Sequence, residues 1–137
     1  MNNKFAFNPE PMSQKITSHL AESFLRKDGI MQVNVYPEVE MNLNDAVESV
    51  QAQAVLANGK KRPLIVHIGK IKSMSRDARV YLGGSEAAKN VTATALITSS
   101  YIGTVIANFF IGLNKTLYPT KLFSSEEEAL KWLVNYL

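Results

Sequence analysis

The sequence predicts an α/β domain built on one mixed sheet, and three observations carry that reading. A hairpin dipeptide, Asp28-Gly29, joins two segments of strand character near the start. Short apolar runs then alternate with longer segments of helical period. The chain has 137 residues and no internal repeat, a size that suits a single core burying roughly two thirds of the unfolded surface. The expected order is an N-terminal β-hairpin followed by αβαβαβα. The later strands should be parallel, because helical crossovers separate them.

Each element has its own justification. Residues 1–14 read as a flexible arm, which leaves residues 15–137 as the domain. Residues 15–26 and 30–36 are the hairpin strands; in the second, Met31, Val33 and Val35 alternate with Gln32, Asn34 and Tyr36, so one face is apolar. Asn42 with Asp45 starts a helix on which Val47, Val50 and Ala54 recur, and Asn58-Gly59 stops it. Residues 64–68, LIVHI, form a short apolar strand. Residues 75–90 read as helix, with Ser75 as N-cap and a break at Gly83-Gly84. Residues 91–99, VTATALITS, are rich in β-branched residues and suit a central strand. A helix over 101–113 and a strand over 120–123 follow. Ser125 with Glu128 fits a capping box for the last helix, and Leu130, Leu133 and Leu137 form its apolar stripe.

Composition narrows function by exclusion. With 46% apolar and 20% charged residues the chain is globular in character. It has no cysteine, which excludes disulfides and thiolate metal sites. The opening MNNKFAFNPEPMSQ lacks a signal peptide's apolar stretch, and no run reaches the roughly 18 apolar residues of a membrane span, so a cytoplasmic location without a membrane span is expected. A net charge of +3 is too small to imply a nucleic-acid partner. His19 and His67 lie on separate strand segments without a matched carboxylate, and neither HExxH nor GxSxG occurs. GGSEAAK at 83–89 fits no phosphate-loop pattern. Glu126, Glu127 and Glu128 open a helix, where negative charge complements the macrodipole. The expectation is a non-enzymatic protein with no catalytic residue, no metal site and no cofactor.

Two stretches remain as candidate contact surfaces. Residues 70–79, KIKSMSRDAR, hold four cations against one carboxylate, a local surplus equal to that of the whole chain. Lys70, Lys72, Ser73, Ser75, Arg76 and Arg79 are therefore the candidate contacts for an acidic partner or an anion, placed at an expected helix start. The second stretch is YIGTVIANFFIGL at 101–113, thirteen residues without a charge. On a helix, Ile102, Val105, Ile106, Phe109, Phe110 and Leu113 share one broad face suited to the core. Gly103, Thr104, Ala107, Asn108, Ile111 and Gly112 share the other. Gly103, Ala107 and Ile111 are the candidate apolar contact or dimer face. Packing within the subunit, a homodimer interface and a groove for a small apolar ligand all remain open.

The hairpin, the strand LIVHI with its following helix start, and the segment NFFIGLNKTLYPTKLFSSEEEALKWL resemble small bacterial proteins of the STAS-like group, whose fold is that of anti-sigma-factor antagonists (SpoIIAA-like). The resemblance runs from about Lys15 to the end of the sequence. It implies a regulatory or protein-interaction module with a protein partner, or, by comparison with lipid-binding relatives, a carrier or sensor of a small apolar ligand. Where the antagonists carry an Asp-Ser-Ser/Thr-Gly run, this chain has Ser75-Arg76-Asp77-Ala78. Arg76 falls on the serine that is phosphorylated there, and Ser73 and Ser75 are the nearby hydroxyls.

Overall fold

A computed structural model describes residues 15–112 and 116–137, apart from the side chains of Phe109 and Phe110. The expected arm at 1–14 lies outside the described residues. The first strand segment divides in two: β1 (Ile16–Thr17) and β2 (Ala21–Leu25) pair antiparallel around a tight turn. Ser18 causes the division. Its Oγ accepts hydrogen bonds from Leu20 N and Ala21 N, so the backbone there bonds to a side chain instead of a ladder. The predicted turn at Asp28-Gly29 then leads into β3 (Met31–Val35), with Gly29 at φ 89° and Asp28 Oδ1 accepting from Ile30 N at 3.1 Å.

Two short strands, β4 (Glu40–Met41) and β6 (Ser73–Met74), form a separate parallel pair that the sequence does not announce. Between them lie α1 (Leu43–Ala57) and β5 (Arg62–His67). The capping box on α1 is complete: Asn42 Oδ1 accepts from Asp45 N at 3.1 Å, and Asp45 Oδ2 accepts from Asn42 N at 2.9 Å. The helix ends at Asn58 in the left-handed conformation. Its buried face runs through Ala46, Val50, Gln53 and Ala57, so Ala54 faces solvent, one position away from the expected stripe.

The segment after β6 is helical in two pieces, α2 (Arg76–Leu82) and α3 (Ser85–Ala88), broken at the two glycines as expected. Gly83 is where another strand of chain docks. Its carbonyl accepts from Leu117 N at 3.0 Å, and a Cβ there would stand 3.0 Å from Thr116 Cγ2. Strand β7 (Val91–Ile97), helix α4 (Tyr101–Gly112), strand β8 (Thr120–Phe123), helix α5 (Glu126–Leu133) and a 3₁₀ turn at Val134–Tyr136 complete the chain.

The main sheet has the order β1-β2-β3-β5-β7-β8, antiparallel at the hairpins and parallel from β3 onward. Alternation along the strands gives it two apolar faces. Leu64, Leu96, Met31 and Val33 pack with Ala46, Val50 and Leu56 of α1, Ala78 of α2, and Ile106 and Ala107 of α4. Ile30, Ile65, Ala93 and Ala95 pack on the opposite face with Ala129 and Leu133 of α5. There Phe123, Trp132 and Tyr136 form a tilted run of rings with centroids 5.5 and 5.0 Å apart. Ser125 caps α5, accepting from Glu128 N at 3.1 Å, whereas Leu137 lies beyond the helix and is exposed.

Candidate functional site

The first face of the sheet does not close completely against its helices. Between β3, β5 and β7 on one side and α1, α4 and β6 on the other lies a cavity of about 70 Å³. Val33, Leu64, Val66, Leu96, Ile106 and Ala107 make most of its wall apolar. Ser49, Gln53, Thr94 and Tyr118 also line it.

Each polar group reaches the cavity for a local reason. Thr94 sits on β7, where its inward register position would otherwise suit an aliphatic residue; it is 2% exposed and its Oγ1 has no hydrogen-bond partner of normal geometry among the described residues. Gln53 lies on the buried face of α1 and donates from Nε2 to Ser49 Oγ at 3.3 Å. Tyr118 enters from the segment before β8, and its hydroxyl donates to the Leu82 carbonyl. Burial pushes the Tyr118 hydroxyl up to about 12; the nearby Thr94 hydroxyl acts in the opposite sense by less, without an aligned bond. The wall therefore offers neutral polar groups in an apolar setting, which suits orientation of a small uncharged ligand.

The basic segment is dispersed over a loop, a short strand and a short helix. Lys70, Lys72, Ser73 and Arg76 are exposed. Lys72 Nζ lies 3.6 Å from Glu40 Oε2 across the small sheet, and Arg79 Nη1 donates to the Met74 carbonyl at 2.9 Å. Ser75 accepts from Ala78 N at 3.1 Å, so its oxygen is committed to the cap of a helix only seven residues long. That arrangement weakens the expected pull of a helix start on an anion, because one free N–H is already satisfied.

Helix α4 turns inward an edge drawn from both expected faces, while Asn108 and Gly112 of the small side are exposed. Gly103 and Ala107 are buried with Ile106, Ile111 is half-buried, and Ile102 on the broad face is exposed. The close contact of Gly103 and Ala107 is thus made inside the subunit. The physical reason is the approach to the end of β7: a Cβ at Gly103 would stand 2.2 Å from Thr98 Oγ1. Val105 of the broad face is half-buried, and the side chains of Phe109 and Phe110 and the whole of Leu113 lie outside what is described.

Each histidine meets a carboxylate, contrary to the sequence reading. His19 Nε2 is 3.2 Å from Asp45 Oδ1. His67 Nε2 is 2.8 Å from Glu126 Oε1, close but out of line for a hydrogen bond. Both partners are distant in sequence and are brought in by crossovers, so no local spacing could announce them. Thr94 and Gln53 carried a faint signal, as polar residues within an apolar strand and on an apolar helix face.

The profile of a domain of unknown function (DUF7793) matches residues 24–137. No curated protein matches the chain. Among solved structures, an uncharacterized protein of the DUF3478 family from Shewanella loihica PV-4, described as having a SpoIIAA-like fold, is 18% identical; the match covers 86% of this chain and 98% of that one, with a TM-score of 0.51. A protein of unknown function from Arthrobacter sp. FB24 is 26% identical over 88% of this chain and 97% of its own, with a TM-score of 0.34. The Shewanella likeness shows the fold, and this chain has the SpoIIAA-like, STAS-like architecture.

Proposed function

Since the chain belongs to the DUF7793 family of domains of unknown function and has a STAS-like fold, we propose that it is a non-enzymatic, cytoplasmic regulatory module that senses or carries a small apolar ligand. The observation that carries this reading is the Thr94 hydroxyl, which faces a mostly apolar cavity and makes no hydrogen bond of normal geometry among the described residues, its polar neighbour Tyr118 donating instead to the Leu82 carbonyl. A buried hydroxyl without a partner costs about 1–3 kcal/mol. A ligand that brings one polar atom to Thr94, with a short aliphatic body against Val66, Leu96 and Ile106, would remove that cost and fill the void, whose volume of about 70 Å³ is well below the roughly 150 Å³ that holds a benzene ring. Among the described residues no helix is long and apolar enough to cross a membrane.

Native mass spectrometry of the purified full chain tests the reading, followed by denaturing analysis of anything released. The expected result is a retained small molecule of low polarity, lost in Thr94→Val. A chain that carries no such adduct, and whose melting temperature does not respond to a panel of short aliphatic alcohols, would reject it.

A second reading, contact with an acidic protein partner, is favoured by a different observation. The Gly69 carbonyl accepts from both Thr98 and Ser100 hydroxyls, so the loop bearing Lys70 is tied to the start of α4, where Tyr101 is 81% exposed. An exposed aromatic beside cations has the composition of an interface hot spot. If a partner binds there, Lys72→Ala with Arg76→Ala should weaken it and flatten its salt dependence. An unchanged affinity and salt slope would confine the segment to a solvated rim.

A further inference from the structure

The turn between β1 and β2 places His19 against the first turns of α1. Ser18 shapes that turn, and His19 projects from it with an exposed ring. Opposite, Asp45 and Glu48 are three residues apart on α1 and share a face. One donor atom from each of His19, Asp45 and Glu48 lies within 4.8 Å of the other two. We propose that these three residues bind a divalent first-row transition ion, with zinc as the representative case.

The spacing suits a shared ion. Two donors each about 2.1 Å from one ion stand roughly 3.0–3.4 Å apart in octahedral or tetrahedral arrangements, and His19 Nε2 and Asp45 Oδ1 are 3.2 Å apart. Asp45 is already oriented: it is buried, and its Oδ2 accepts from Asn42 N at 2.9 Å, which leaves Oδ1 aimed at His19. Outer hydrogen bonds of this kind fix ligating carboxylates. Glu48 is exposed and has no cationic partner among the described residues, so its side chain is free to close the set. Two carboxylates and a neutral imidazole balance a divalent charge.

One nitrogen and two oxygens select zinc, manganese or nickel over magnesium and calcium, which take oxygen ligands. Three protein ligands also leave coordination positions open. These adjoin a second cavity, of about 250 Å³, whose wall includes Asp45 and Glu48 with Thr17, Ser18 and Ser49. That space admits water or a small ligand beside the ion. None of the three ligands lines the apolar cavity, although the two cavities share Val33, Met41 and Ser49 in their walls, and the ion site does not depend on the function proposed for that cavity.

Isothermal titration of the metal-stripped full chain with Zn²⁺ is the test. Asp45 also closes the cap of α1, so the variants are His19→Ala and Glu48→Gln, both at exposed positions, with His67→Gln as control for the other histidine. The expected result is one saturable site per chain, weakened about tenfold or more in each of the first two variants and unchanged in the control, with a Zn²⁺-dependent rise in melting temperature reversed by EDTA. Absence of saturable Zn²⁺ binding, or binding that survives His19→Ala, would overturn the proposal.

Discussion

Gly103 decides how closely α4 can approach the sheet. Thr98 Oγ1 is held in place by donating to the Gly69 carbonyl at 3.0 Å and accepting from Ser100 N, so it cannot yield to a Cβ placed 2.2 Å away. Gly103→Ala would gain up to about 1 kcal/mol of helix propensity, but overpacking costs about 1–3 kcal/mol and more where the neighbour is fixed. Net destabilisation in urea is expected, with partial rescue when Thr98→Ala is added; a stabilised single variant would contradict the packing described. Tyr118 carries a second residue-scale consequence. Its folded-state value is raised to about 12, against about 10 in the unfolded chain. The folded state therefore holds the proton more tightly, and the stability tied to it is complete below about pH 10 and lost as pH rises through about 12, by roughly 2–3 kcal/mol. Tyr118→Phe should flatten that alkaline decline between urea melts at the two ends of the window, while costing about 1 kcal/mol at neutral pH for the lost bond to Leu82.

At the scale of elements, the caps were legible because their chemistry is local. Asn42→Ala removes the acceptor for Asp45 N and should cost about 0.5–2 kcal/mol in chemical denaturation, with the helix otherwise intact; an unchanged midpoint would mean that the capping box is idle. The same locality explains why the Asp28-Gly29 hairpin, the break at Gly83-Gly84 and the start of α5 at Ser125 could be read from sequence. What failed was whatever depended on orientation in the fold. Ile102 belongs to the broad apolar face of α4 and yet is 46% exposed, because Gly103 and Ala107 permit a closer approach than larger residues would. The β4–β6 pair joins strands separated by a whole helix and strand, each too short to show a period. The candidate sites were less legible still: Thr94 is one hydroxyl in a β-branched run, and His19 gains Asp45 only when the β1–β2 turn lies over α1.

For the molecule as a whole, the local rules agree at most positions; β7 departs from them at two buried hydroxyls, Thr92 Oγ1 and Thr94 Oγ1, neither with a hydrogen-bond partner of normal geometry among the described residues, and of the two Thr94 lines the cavity. Leu96, two residues along the same strand face, obeys the alternation that Thr94 breaks. The backbone is not the reason for a threonine, since Thr94 N is satisfied by the Pro119 carbonyl at 2.9 Å whatever the side chain. Nor is shape, since valine is branched at the same atom. A hydroxyl at a position where it lowers stability is what the binding role proposed for this cavity would require. Thr94→Val in the ligand-free chain should accordingly be more stable than the parent, by about 1–2 kcal/mol, because an unsatisfied polar group is replaced by an apolar one of similar form. Thr98→Val is the contrast on the same strand's exit: its hydroxyl bonds to the Gly69 carbonyl, and its loss should destabilise. Equilibrium urea unfolding of the two variants beside the parent separates them. If both lose stability, Thr94 is a paired structural hydroxyl and the cavity has no claim to be a binding site.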